Sequence, residues 1–187
     1  MQADILHLHQ IGRKFDIIES SGVLHHMDEP MVGWRVLANL LNPGGLTKIG
    51  LYSELARQPI VSVKEEIELL KMGTSEAEMR KFRQKLIGSD NENHKTITKS
   101  QDFFSLSMLR DLIFHVKEHR FTLPQIKNCL NELGLKFCGF EKNDIKRQFK
   151  KLHTNEKDIE DLLLWHQFEK ANPRTFVGMY LFWCQKI

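Results

Sequence analysis

The sequence predicts an α/β protein organised on a parallel sheet, and three observations carry that expectation. Residues 15 to 52 read FDIIESSGVLHHMDEPMVGWRVLANLLNPGGLTKIGLY: an apolar strand, a polar elbow, one helix, a Pro-Gly-Gly turn and a second strand. Two strands joined by one helix and short loops make a right-handed crossover. A second helix-then-strand unit follows from Thr122, and the chain ends in FVGMYLFW, which is apolar on both faces as a covered sheet strand should be.

Taken in order, residues 2 to 9 alternate weakly (Ala3, Ile5, Leu6 and Leu8 around Asp4) and read as the last residues of a strand and a loop. Phe15, Ile17 and Ile18 form the body of the next strand, which Ser20, Ser21 and Gly22 end with small residues. Pro30 suits the first turn of a helix, and Val32, Val36, Leu37, Leu40 and Leu41 recur at helical spacing. Asn42-Pro43-Gly44-Gly45 then turns the chain into a strand through Leu46, Ile49, Leu51 and Tyr52.

Residues 54 to 120 read as a helical insertion with no convincing strand. Val63, Ile67 and Leu70 give one apolar face. Ser75 with Glu78 has the capping-box spacing, and Met79, Phe82 and Leu86 follow it. The polar run from Gly88 to Thr98 reads as a mobile loop. Met108, Leu109, Leu112, Ile113 and Val116 make the clearest amphipathic face. Thr122 and Gln125 then form a second capping box with Pro124 in the first turn, and Gly134 stands at the helix end, before a strand through Leu135, Phe137, Cys138 and Phe140. Residues 143 to 170 are helical, with Ile145, Phe149, Leu152, Ile159, Leu162, Leu163 and Phe168 turned inward. Four strands result, with helical material between them.

Composition narrows the function classes. A chain of 187 residues with 41% apolar and 27% charged content can bury a core as one soluble domain. Its net charge of +3, from 27 basic and 24 acidic residues spread along the chain, gives nucleic-acid binding no support. Cys129, Cys138 and Cys184 are widely spaced in apolar contexts, so they read as buried thiols of a reducing compartment. The N-terminus lacks a signal-peptide layout and no apolar run reaches membrane length, which makes the cytoplasm the expected location.

The chemistry-bearing residues cluster at the elbow: Ser20, Ser21, Gly22, His25, His26, Met27 and Asp28. Small residues at a strand's carboxyl end permit close approach of a ligand or of backbone, and open α/β sheets bind ligands there. Adjacent histidines diverge, so one faces the crevice and the other caps the loop. No ligand set for a metal accompanies them. His115 and His119 share an i,i+4 spacing without the zinc-protease signature and read as a solvated helix end. Residues 142 to 151 hold five basic residues with one aromatic, Phe149, and read as a solvated helix face.

These residues carry a resemblance. FDIIESSGVLHHMDEP with the following LLNPGGLTKIGLYS resembles the fourth strand, helix and fifth strand of class I S-adenosylmethionine-dependent methyltransferases, in a bacterial branch often joined to tetratricopeptide repeats. LPQIKNCLNELGLKFCGF and NPRTFVGMYLFWCQK resemble the final helix and strands. The resemblance implies a partial Rossmann-like methyltransferase sheet: the end of the third strand, then the fourth to last strands, with a helical insertion of about residues 54–120 after the fifth. It implies that Asp4 contacts the adenine amino group and Ile5 packs on the ring, that Ser20, Ser21 and Gly22 lie near the methionine part of S-adenosylmethionine, and that His25 and His26 lie on the acceptor side. His26 is favoured over His25 as general base for a methyl acceptor the sequence does not name.

The family's glycine-rich cofactor loop and ribose-binding acid precede the matched region and would lie upstream of Met1. The expectation is therefore a C-terminal portion of a methyltransferase domain. It would bind the cofactor weakly or not at all alone, and act within a longer or complemented protein. The alternative is a non-catalytic interaction module, in which the open edge of an incomplete sheet pairs with a second copy or with a chain supplying the missing strands.

Overall fold

The computed structural model describes residues 3–114 and 117–187. A 3-10 helix (Ile5–Ile11) opens the described chain and leads to β1 (Phe15–Ser21), a 3-10 turn (Leu24–His26), α1 (Pro30–Asn39) and β2 (Leu41–Ser53). Then come α2 (Gln58–Leu69), α3 (Glu76–Ile87), α4 (Glu92–Thr98), a 3-10 turn (Gln101–Phe104) and α5 (Leu106–Leu109), which continues as a π-helical turn over Arg110–Phe114. The chain finishes with β3 (Arg120–Phe121), α6 (Leu123–Leu133), β4 (Leu135–Phe140), α7 (Asn143–Lys150), a 3-10 turn (Glu156–Glu160), α8 (Leu162–Ala171) and β5 (Tyr180–Lys186). It divides into two compact units: Arg57–Glu118 form a helical unit, and the residues on either side form a sheet unit.

In the sheet unit the strand order is β1-β2-β5-β4, with the two-residue β3 pairing the end of β2. β1 and β2 are parallel, as the crossover predicts, with Ser20 opposite Ile49 and Ser21 opposite Gly50. β5 is antiparallel to both β2 and β4, so β4 runs in the direction of β1 and β2. The terminal strand is thus sheet interior, one of the two positions its apolar pattern allows, the other being a helix-covered edge.

Alternation sets the two faces. Thr47, Ile49, Leu51, Tyr180, Phe182, Cys184, Leu135 and Phe137 are buried. All but Thr47 share one core cluster with Trp34 and Leu37 of α1, Ile126 and Leu130 of α6, Phe149 of α7 and Trp165 and Phe168 of α8. The interdigitated rings include Phe149 stacked on Trp165 at 3.8 Å between centroids. On the opposite face Leu46, Lys48, Leu181 and Trp183 stay partly exposed. There Lys48 reaches Glu19 at 3.1 Å and Glu141 at 3.5 Å, over the Trp183 ring.

The helical unit has its own core, from Val63 and Ile67 of α2, Met79, Phe82 and Leu86 of α3, Ile97 of α4, and Leu109, Leu112, Ile113 and Phe114 at its end. Val116, read into that last face, and His115 lie outside the described residues.

Several sequence expectations are corrected. Residues 5–11 wind a helix rather than ending a strand, because Asp4 caps it by accepting the Leu6 N–H at 2.9 Å, so no strand precedes β1 among the described residues. The run read as a mobile loop contains α4: Asn91 caps it, and His94 and Ile97 anchor it in the core. The Asn-Pro-Gly-Gly segment lies within β2, where Phe15 faces Leu41 but Ile17 faces Leu46, so residues 42–45 bulge out of the ladder. Leu152 is 70% exposed and Leu163 42%, since the helix breaks at residue 151 and the inward positions fall to Phe149, Trp165 and Phe168. On α1, Trp34 rather than Val32 enters the core, and Met108 is 45% exposed. Cys138 is exposed where a β-irregularity turns it outward, whereas Cys184 is fully buried.

The two punctuating predictions of α6 hold: Thr122 and Gln125 complete a reciprocal capping box, and Gly134 ends the helix in the left-handed region.

Candidate functional site

The candidate site forms where β1 stops, at the carboxyl end of the parallel strands. Gly22 takes φ +77°, a left-handed turn that any side chain would strain, and its N–H donates to the Gly50 carbonyl at 3.4 Å. Gly50 permits the close approach of β1 to β2: a Cβ there would stand 2.9 Å from Ser21 Cα and 2.6 Å from Met179 Sδ. Met179, the residue before β5, therefore lies over both glycines, with its Cε 3.9 Å from where a Gly22 Cβ would be.

The two serines part at this point. Ser20 faces the covered side of the sheet, buried, and its Oγ has no hydrogen-bond partner among the described residues. Ser21 is exposed on the other side. The histidines part in the same way. His25 is fully buried, its ring 4.0 Å from the Tyr52 ring and 4.4 Å from that of His26. His26 is exposed and sits edge-on to both. Asp4 is exposed at the start of a 3-10 helix that packs on α1, and Ile5 beside it is partly buried against the core.

Sequence reasoning left out three neighbours of this elbow. Tyr52 was read only as a strand end, yet its ring closes over His25. His119, read as part of a solvated helix end, donates its backbone N–H to the His25 carbonyl at 2.8 Å, and its buried Nε2 lacks a hydrogen-bond partner among the described residues. The third is Glu169, fully buried on α8, which accepts from Ser53 Oγ at 2.5 Å and from the Tyr180 hydroxyl at 2.6 Å. Burial raises the Glu169 pKa above the usual carboxylate value despite both hydrogen bonds. Ser53 follows Tyr52 and Tyr180 follows Met179, so this carboxylate ties together the two strand ends that present those side chains. No local motif signals such a pairing across 116 residues of chain.

Strand order, strand directions and the covered face together define a partial Rossmann-like fold, a mixed sheet interrupted by a helical segment. No family model matches the chain. An uncharacterized protein of Synechococcus sp. is 26% identical over 178 residues, which are 89% of this chain and 42% of that protein. The structure of PKMT2 from Rickettsia typhi aligns with 97% of this chain at TM-score 0.67 and 16% identity, over 37% of its own length. The structure of PKMT2 in complex with AdoHcy aligns with 98% of this chain at TM-score 0.68 and 15% identity, over 38% of its own length. The chain thus spans less than half the length of each of these proteins. No helix among the described residues is long and apolar enough to cross a membrane.

Proposed function

We propose that this chain is part of an S-adenosylmethionine-dependent methyltransferase, acting within a longer or complemented protein, and that the elbow after β1 is its methyl-transfer site. The observation that supports this most directly is the likeness in fold, along nearly the whole chain, to a protein whose structure holds AdoHcy. The residues present suit that group: an exposed Ser21 beside a left-handed Gly22 that carries no side chain of its own, with Met179 over it, is a surface that the methionine end of such a ligand can approach. Asp4 and Ile5 would take the adenine, while Ser20, held on the covered side, would support the turn from beneath.

S-adenosylmethionine supplies an electrophilic methyl group on a sulfonium. What this chain contributes is placement and proton handling. His26, exposed at the acceptor side, would accept the proton that the acceptor loses as its lone pair bonds to the methyl carbon and the carbon–sulfur bond breaks. His25, sealed against Tyr52, would hold the elbow in shape.

Titration of the 15N-labelled chain with S-adenosylhomocysteine tests this reading, because chemical shifts report weak binding. Shifts are expected at Asp4, Ile5 and Ser20 to Gly22, with affinity well below that of a complete enzyme. Shifts confined to other residues would sink the assignment. One-site micromolar binding would contradict the need for further chain.

A second reading has its own observation. The outer edge of β1 pairs with no strand among the described residues, and Ile17 on it is 59% exposed. Such an edge invites strand addition, which would make the chain an interaction module. Light scattering decides this: a monomer at high concentration, with and without its neighbours in the cell extract, counts against the module.

A further inference from the structure

We propose that the basic hollow between α7 and residues 172–178 docks an acidic peptide segment of the methyl acceptor, an inference that rests on the methyl-transfer reading and adds the acceptor's chemistry. The hollow, about 540 Å³, is lined by Lys142, Asp144, Ile145, Gln148, Arg174 and Val177 among others. It lies at the end of the sheet where β1 and β2 also finish, because β4 runs parallel to them and Lys142 follows its last residues. The segment that walls it leads directly into Met179, the side chain lying over Gly22 and Gly50. A chain bound in the hollow can therefore continue toward the elbow.

Charge identifies the occupant. Lys142 and Arg174 line the hollow and form no ion pair among the described residues, and neither do Lys146, Arg147, Lys150 and Lys151, which lie outside its lining on α7 and at its end; Lys48, Lys85, Lys136 and Arg120 by contrast all lie within 4 Å of a carboxylate. Asp144 is the one acid lining the hollow, and Glu141 beside it is turned to Lys48. A nucleic acid would want exposed aromatic faces for its bases, but Phe149, the aromatic of this helix, is fully buried beneath Trp165. Ile145, Pro173 and Val177 instead offer apolar wall for a side chain among the cations.

Fluorescence anisotropy with the full chain tests the proposal, using a labelled Asp/Glu-rich peptide, its Asn/Gln counterpart and an oligothymidylate of equal charge. The acidic peptide is expected to bind, to weaken with salt, and to lose about tenfold or more in affinity with Lys142→Glu combined with Arg174→Glu. Lys99→Glu, an exposed charge of the helical unit, should change nothing, and thermal melts confirm that each variant is folded. Equal binding of the neutral peptide, tighter binding of oligothymidylate, or indifference to the double reversal overturns the proposal. Titration with S-adenosylhomocysteine separates the two layers: peptide binding with ligand shifts confined to residues outside the elbow removes the methyl-transfer reading and leaves the basic docking surface. Elbow shifts without peptide binding do the reverse.

Discussion

Gly50 has space for a hydrogen and no more, and that constraint fixes the elbow. Gly50→Ala would drive a methyl into Met179 and the Ser21 backbone, so it should lower stability by about 1–3 kcal/mol in urea unfolding. The histidine pair should separate cleanly in the same assay. His25→Ala removes a fully buried ring packed against Tyr52 and should cost about 2–3 kcal/mol, while His26→Ala, at an exposed position, should stay within about 0.5 kcal/mol. If His26 is the base, its variant loses turnover while keeping the fold. Glu169 gives a pH-dependent case. Burial raises its pKa in the folded chain, so its contribution to stability is greatest below the ordinary carboxylate value and declines as pH rises through the folded one. Glu169→Gln should flatten that decline in denaturant midpoints measured across pH. Glu169→Ala should cost about 2–4 kcal/mol by leaving the Ser53 and Tyr180 hydroxyls unsatisfied.

At the scale of elements, what closes the helical unit is ionic. Arg57 precedes α2 and Glu118 lies at the unit's other end. Both side chains are almost wholly buried, and Arg57 binds the Glu118 carboxylate through Nε at 2.9 Å and through a second donor, with Lys64 at 3.4 Å. Burial would raise the Glu118 pKa, but the hydrogen bond and charge of Arg57, with Lys64, draw it below the usual range. A carboxylate depressed in the folded state stabilises above its unfolded pKa and loses that contribution as pH falls through the folded value. The helical signal in circular dichroism should therefore drop on acidification. Glu118→Ala should cost about 3–5 kcal/mol at neutral pH, since it removes a buried carboxylate that Arg57 and Lys64 share.

On the scale of the molecule, the sheet unit has one helix-covered face, one face held by the Lys48 clamp, and an outer edge at β1 that carries an exposed Ile17. A charge on such an edge opposes strand addition. Ile17→Lys should leave the melting temperature nearly unchanged and abolish any concentration-dependent association seen by light scattering. Retained association would place the interface elsewhere.

The sequence by itself determined the crossover, because Phe15 to Tyr52 contains both strands and the helix within one continuous run, although the Asn-Pro-Gly-Gly segment read as the turn became a bulge inside β2. It determined α6 and its caps for the same reason. It also located the elbow, since small residues followed by paired histidines are visible without knowing what surrounds them. Only the tertiary structure decided which histidine is sealed and which is exposed, because that depends on Tyr52, a strand away. It alone turned β5 antiparallel between β2 and β4, and brought Glu169 to Ser53 and Tyr180. It also made a helix of the polar run 92–98, whose one buried turn is stable only against the core of its unit. Periodicity reports what a segment prefers along its own length; which side chains meet is settled by packing between segments that the chain keeps far apart.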